Sequence, residues 1–92
     1  MAEFVLELKN EKGLHLLACG EFVKVTSRFR ARILVAKLGE EEMEVDGKSI
    51  LGLIGLGAPC GTRLRIRVDG DDGHSAQQAL TDLVENRFGE EK

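Results

Sequence analysis

The feature that most constrains the fold is a strict alternation at residues 62–69, TRLRIRVD. Leu64, Ile66 and Val68 share one side of an extended chain, and arginines occupy the other side. A period of two is typical of a β-strand with one buried face, and such a face needs a second layer to cover it. The chain is therefore predicted to build a sheet that is covered on one side.

Three further segments alternate in the same way and are predicted as strands: FVLEL (4–8), ARILVAK (31–37) and EMEVD (42–46). The last two are separated by a short loop around Gly39. We expect them to form a hairpin in which Met43 and Val45 face the core.

Between these strands the apolar residues recur at helical spacing. This predicts a helix from Leu16 to about Ser27 and a terminal amphipathic helix. The glycine-rich segment 46–57 allows only a short helix, with Ser49 as its N-cap, and an aspartate in the turn at 70–73 is expected to cap the last helix. The order βαββαβα predicts an α+β fold: a two-layer, open-faced β-sandwich with a four-stranded antiparallel sheet and helices on one face. Residues 1–92 suffice for a single domain.

Charge and composition exclude several classes of function. A net charge of −3 argues against a general nucleic-acid binder, because such proteins are usually basic. No apolar run approaches the ~20 residues that span a bilayer, and the N-terminus lacks the basic-then-apolar order of a signal peptide. We therefore expect a cytoplasmic protein that does not insert into membranes. Cys19 and Cys60 are expected to be small buried residues rather than a disulfide.

The polar side of the sheet is expected to carry charges of both signs. The basic residues are Arg30, Arg32, Arg63, Arg65 and Arg67. The acidic residues are Glu3, Glu7, Glu42 and Glu44. Because acids of similar number lie on neighbouring strands, cross-strand ion pairing is favoured over nucleic-acid binding.

The residue spacings in this sequence do not match those that nucleotide-binding and metal-binding motifs require. Gly47-Lys48-Ser49 ends like a P-loop, but Glu42 stands where that loop needs a glycine. The glycine-rich run that follows has the wrong order for a dinucleotide fingerprint. His15 and Cys19 are four residues apart, but no second pair of ligands is nearby, so neither a metal nor a cofactor is predicted.

His15 immediately precedes the first long helix, where backbone N–H groups lack partners and the helix dipole is positive. A phosphate on the imidazole would lie at that end, held by the amides of Leu16 and Leu17. The same field favours a neutral imidazole, whose ring nitrogen is the nucleophile that phosphoryl transfer needs. On spacing alone, a phosphate acceptor and a simple N-cap are equally good interpretations. The other histidine, His74, is expected to be solvated.

Two motifs together favour the acceptor. GLH at 13–15, followed by an apolar helix with FVK at 22–24, and GKSILGLIGLG at 47–57 resemble the HPr family of phosphocarriers. This family belongs to the bacterial phosphoenolpyruvate-dependent sugar phosphotransferase system. The resemblance extends over nearly the whole chain in the order βαββαβα. It implies a phosphoryl carrier rather than an enzyme.

By that resemblance, His15 takes phosphate on Nδ1 from phosphorylated Enzyme I and passes it to Enzyme IIA. Ser49 matches the serine that an HPr kinase/phosphorylase modifies in many bacteria. The apolar surface that docks these partners would consist of Leu16, Leu17, Ile50, Leu51 and Ile54. We expect a monomer, since small and transient interfaces suit a shuttle.

The chain departs from the family beside His15. Where the family usually has a small residue, arginine and proline, this sequence has Leu16, Leu17 and Ala18. The missing arginine leaves an alternative open: a non-relaying regulatory paralogue that acts through Ser49 or surface contacts, including a nitrogen-branch role. A third interpretation, an unrelated metal- or RNA-binding domain, lacks ligands and exposed aromatic residues. At least one of the two leucines is expected to lie on the surface beside His15.

Overall fold

A computed structural model of the protein describes residues 2–39 and 43–92. The strands are β1 (Ala2–Glu7), β2 (Arg32–Lys37), β3 (Val45–Asp46) and β4 (Arg63–Asp69). The helices are α1 (Leu16–Thr26), α2 (Ile50–Gly55) and α3 (Gly73–Glu85), and a 3-10 turn follows at Arg87–Gly89. Over the described residues the predicted order βαββαβα is confirmed.

The long alternating strand, β4, lies inside the sheet. The order across the sheet is β1-β4-β2-β3, and each neighbouring pair is antiparallel. Ile66 of β4 is paired with Phe4 of β1 on one side and with Val35 of β2 on the other. These registers align the apolar residues of three strands on one face of the sheet. The predicted four-stranded antiparallel sheet is confirmed.

The helices cover this apolar face. Phe22 of α1, Leu53 of α2 and Leu80 of α3 are fully buried in one cluster with the inward residues of the strands. Burying a side chain of this size contributes about 1.5–3 kcal/mol. Because α1 also packs against α2 and α3, its position relative to the sheet is fixed by both.

The opposite face of the sheet carries the expected ion pairs. Arg65 contacts Glu3 of β1 at 3.7 Å and Glu44, just before β3, at 3.3 Å. Arg67 contacts the same Glu44 carboxylate at 3.1 Å. One carboxylate thus bridges two arginines of β4, which confirms cross-strand ion pairing at these positions. Glu42 lies outside the described residues.

Two burial predictions are wrong. Met43 is 51% exposed, because β3 has only two residues and Met43 precedes it, outside the paired strand. Val45, inside β3, does pack against the core. Cys60 is exposed, since it lies in a turn closed by the bond from Thr62 N–H to Pro59 O, whereas Cys19 is fully buried.

The predicted role of the aspartate before α3 is also wrong. Asp72 occupies the N-cap position, but its side chain makes no capping bond to its own helix. Its carboxylate accepts the backbone N–H groups of Arg30 at 2.7 Å and Ala31 at 2.8 Å. These bonds, that of Arg30 first, hold the pKa of Asp72 below its ordinary value. The carboxylate therefore ties the start of α3 to the segment that leads into β2.

Candidate functional site

The turn before His15 is shaped by a close approach between two loops. Gly13 has φ +65°, and a Cβ on this residue would lie 2.5 Å from the carbonyl oxygen of Ala58. Leu14 donates its N–H to the same oxygen at 2.8 Å. Glycine is thus required both for the left-handed backbone and for the contact. The turn delivers His15 in an extended conformation to the N-cap of α1.

The imidazole of His15 makes a different contact through each ring nitrogen. Nδ1 accepts the backbone N–H of Leu17 at 3.3 Å. Nε2 lies 2.6 Å from a carboxylate oxygen of Glu90, 75 positions along the chain. An ionised carboxylate only accepts hydrogen bonds, so the proton of the neutral ring lies on Nε2. Both contacts therefore favour the same tautomer, in which Nδ1 keeps its lone pair.

Glu90 is itself held in place by Asn10. The Nδ2 of this buried asparagine donates to Glu90 at 3.2 Å and to the carbonyl oxygen of Gly13 at 2.6 Å. Partial burial raises the pKa of the Glu90 carboxyl. The hydrogen bonds from His15 and Asn10 and the positive charge of Lys12 lower this pKa by more than burial raises it. The net pKa lies below its ordinary value. Glu90 is therefore ionised at neutral pH beside His15.

The segment that carries Glu90 has an unusual backbone. Arg87 and Phe88 have φ of 53° and 56°, although neither is glycine, and Gly89 follows with φ 82°. Phe88 is buried against the core, which compensates for the strain of this turn. The chain end then bonds back to the first loop, because Glu11 donates its N–H to the carbonyl oxygen of Lys92 at 2.9 Å.

Both leucines after His15 lie on the surface. Leu16 is 63% exposed and Leu17 is 74% exposed. The prediction that at least one of them is exposed is confirmed. Leu17 and His15 border an open depression of about 530 Å³ between the start of α1 and the chain end.

Ser49 is the N-cap of α2, as predicted. Its Oγ accepts the N–H of Gly52 at 3.0 Å. Three large apolar side chains of α2 are exposed: Ile50, Leu51 and Ile54. Because α1 and α2 pack against each other, these side chains and the two exposed leucines of α1 belong to adjoining elements.

Other candidate residues do not join this site. His74 is exposed on α3, as expected. The Cys19 thiol donates to the carbonyl oxygen of Leu14 at 3.5 Å, and burial raises its pKa. Within residues 2–39 and 43–92, no three His, Cys, Asp or Glu side chains cluster as metal ligands would. No helix in the same two ranges is long and apolar enough to cross a membrane.

Sequence reasoning missed Glu90 and Asn10. Neither residue belongs to a motif, and Glu90 follows the end of the last helical pattern. One signal was available. Since β4 is followed by a helix that runs back over the sheet, the residues after α3 are brought towards the loop after β1. That signal does not identify which side chain meets His15.

Known proteins resemble this chain over nearly its whole length. A family model described as "PTS HPr component phosphorylation site" matches residues 2–86. The phosphocarrier protein HPr of Xylella fastidiosa (strain Temecula1) is 42% identical over 91 residues, 99% of each chain. The crystal structure of HPr-C-His from Thermoanaerobacter tengcongensis is 39% identical, with a TM-score of 0.91 over 100% of both chains. An HPr dimer from that organism matches with a TM-score of 0.75 and 39% identity, over 98% of this chain and 100% of that one.

The fold and these matches define a carrier protein of the phosphotransferase system, not an enzyme. The chain belongs to the HPr family of phosphocarriers. This membership favours the carrier over the non-relaying regulator.

Proposed function

We propose that His15 accepts a phosphoryl group on Nδ1 from phosphorylated Enzyme I and passes it to Enzyme IIA. The observation that carries this proposal is the pair of ring contacts: Nδ1 meets the N–H of Leu17 at the N-terminus of α1, and Nε2 faces the carboxylate of Glu90. The protein would act as a single HPr-like domain, residues 1–92, in the cytoplasm and as a monomer. It would need no metal or cofactor, because the partner supplies the phosphoryl group.

In the proposed step, the lone pair of Nδ1 attacks phosphorus as the bond to the donor breaks. The N–H of Leu17, which now donates to Nδ1 at 3.3 Å, would then donate to a phosphoryl oxygen. The amide of Leu16 lies in the same first turn, where the helix dipole favours negative charge. The phosphoryl group would thus be held by backbone amides, because Leu17 has no polar side chain.

The partners would dock on the exposed apolar surface around this histidine. We propose that this docking surface consists of Leu16, Leu17, Ile50, Leu51 and Ile54. Ser49 starts α2 beside the last three and is the proposed regulatory phosphorylation site. A phosphate on Ser49 would place nearly two negative charges at an apolar surface and weaken docking.

The test is phosphorylation by phosphoenolpyruvate and Enzyme I from the same organism. We expect acid-labile, base-stable phosphate on the wild type and none on His15→Ala. The matched control is His74→Ala, because it removes the other histidine from an exposed helix position. If His15→Ala is phosphorylated as well as the wild type, the proposed function is wrong.

A further inference from the structure

The segment after α3 brings the carboxylate of Glu90 to Nε2, the ring nitrogen of His15 that faces away from α1. Nε2 of His15 and the carboxylate of Glu90 are 2.6 Å apart, slightly closer than the roughly 2.7–2.9 Å of charge-assisted N–H···O hydrogen bonds. The two side chains are 24% and 26% exposed, so solvent screens this contact only in part. The nitrogen that faces Glu90 is the one that the proposed transfer does not use.

The position of Glu90 depends on several other contacts. Asn10 is fully buried and donates from Nδ2 to the other carboxylate oxygen of Glu90. The turn before Glu90 contains two non-glycine residues at positive φ, Arg87 and Phe88. Such residues strain the backbone and persist only where the surroundings hold them. Burial of Phe88 and the bond from Glu11 to Lys92 hold this turn.

The chemistry of the transfer explains why a carboxylate is useful there. When the lone pair of Nδ1 forms the N–P bond, the donor leaves with the electron pair of the bond that breaks. The proton on Nε2 stays in place, so the ring becomes a phosphoimidazolium and carries a positive charge. In the onward transfer the N–P electron pair returns to Nδ1 and this charge disappears. A fixed carboxylate beside Nε2 stabilises the charged form and needs no proton movement.

We propose that Glu90 is a positioning residue for His15. Its carboxylate holds the proton on Nε2, keeps Nδ1 directed at the N-terminus of α1, and stabilises the positive charge that the ring gains on phosphorylation. This inference rests on the proposed function for its kinetic consequence. Its structural part, the hydrogen bond, can be tested without Enzyme I.

The first test is NMR of the protein alone, at a pH where the imidazole is neutral. We expect the Nε2 proton of His15 to give a low-field resonance that exchanges slowly with water. Glu90→Gln should move this resonance upfield and speed its exchange, because an amide oxygen is a weaker acceptor than a carboxylate. Glu91→Gln is the matched control, since it removes the same charge from the exposed next residue. If the Nε2 proton has the same chemical shift and the same exchange rate in the wild type and in Glu90→Gln, the proposal is overturned.

The second test is the rate of phosphoryl acceptance from Enzyme I, measured over a range of carrier concentrations. Carboxylates that orient metal-binding histidines contribute about ten- to a hundredfold. We expect Glu90→Gln to lower the rate at saturating carrier by about tenfold and to leave KM unchanged, because docking does not use Glu90. An unchanged maximal rate, or a change confined to KM, would contradict the proposal. If the wild type accepts no phosphate, the proposed function fails and the NMR result alone decides the role of Glu90.

Discussion

The starts of α1 and α2 have the same local design and different surroundings. His15 and Ser49 are both extended residues whose side chains accept a backbone N–H from the helix that follows. Ser49 Oγ accepts from Gly52 at 3.0 Å, and His15 Nδ1 accepts from Leu17 at 3.3 Å. In the described part of the chain, the cap is the one hydrogen bond of the Ser49 side chain. His15 has a second bond, from its opposite nitrogen to Glu90.

This difference separates a side chain that already has a nucleophilic lone pair from one that needs a base supplied by a partner. A serine hydroxyl is a weak nucleophile at neutral pH and requires a base from elsewhere. The neutral imidazole already has a lone pair on Nδ1, and Glu90 keeps the proton on the other nitrogen. A cap bond alone therefore does not make a phosphate acceptor. The contact on the far side of the ring distinguishes the proposed relay site from the proposed regulatory site.

The largest effect is expected from Gly13→Ala, because this substitution disrupts the turn that positions His15 at the start of α1. The new Cβ would be 2.5 Å from the carbonyl oxygen of Ala58, in a residue at φ +65°. We expect a loss of about 3 kcal/mol or more in the free energy of unfolding, measured by urea denaturation. Phosphoryl acceptance should fall as well, because this turn positions His15.

The control for this change is Gly57→Ala. Gly57 has φ +60°, and its added Cβ would meet no atom within 4 Å beyond those of the adjacent residues. It should lose about 1–2 kcal/mol from backbone strain alone. If the two variants are equally destabilised, the contact with Ala58 does not shape the turn before His15.

The next largest effect is expected from Leu17→Arg, and this variant tests which groups hold the phosphoryl group. In the family an arginine at this position can donate a charge-assisted hydrogen bond, which contributes about 1.5–3 kcal/mol. The dipole of α1 supplies only about 0.3–1 kcal/mol at an exposed site. We therefore expect the wild type to be a slow or specialised carrier. Leu17→Arg should speed transfer from Enzyme I and to a generic Enzyme IIA by roughly ten- to a hundredfold.

The control is Leu38→Arg, which adds the same charge to an exposed leucine outside the proposed docking surface. An equal gain in both variants would point to general charge attraction. An unchanged rate in Leu17→Arg, with a wild type as fast as an ordinary HPr, would show that the missing arginine is compensated elsewhere.

A smaller effect is expected on the Ser49 side. Ser49→Asp places a negative charge at the N-terminus of α2, where the helix tolerates it, and beside Ile50 and Leu51, where an apolar partner would not. We expect binding to Enzyme I to weaken roughly fivefold, about 1 kcal/mol, in calorimetric titration. Ser75→Asp, in the first turn of α3, is the control for charge alone. Unchanged affinity in Ser49→Asp would argue against this docking surface.

The comparison also shows which parts of the molecule the sequence could reveal. Strands β1, β2 and β4 were predicted within two residues, because alternation in a half-buried sheet is a local signal. The capping position of Ser49 was equally local. Met43 was misplaced because the alternation at 42–46 does not show that β3 begins only at Val45.

The sequence could reveal only the local contacts of His15, because pattern reasoning detects signals between residues that are close along the chain. The cap and the exposed leucines follow from the start of one helix. The contact with Glu90 joins residues 75 positions apart, and no periodicity links them. The carboxylate of Asp72 was likewise assigned to its own helix, whereas the fold directs it to the segment before β2.

The smallest effect, on stability alone, is expected from Asp72→Asn. Asp72 is the N-cap residue of α3, as His15 and Ser49 are of α1 and α2. This carboxylate accepts two backbone N–H groups from another segment, and those bonds lower its pKa. A group with a lowered pKa in the folded state contributes stability above its unfolded pKa and loses it as the pH falls through the folded pKa. Asp72→Asn should therefore be less stable than the wild type at neutral pH, and the difference should narrow in acid.

Thermal unfolding at a series of pH values measures this difference, with Asp71→Asn as the control in the same turn. Asp71 is exposed, so its substitution tests the change of net charge alone. Because solvent screens Asp72, the change should be modest, and phosphorylation of His15 should be unaffected. A stability difference that stays constant down to strong acid would show that ionisation of the Asp72 carboxyl is not the source of the lost stability. The three N-caps would then differ in which backbone N–H groups they bind, and the charge of the third would not matter.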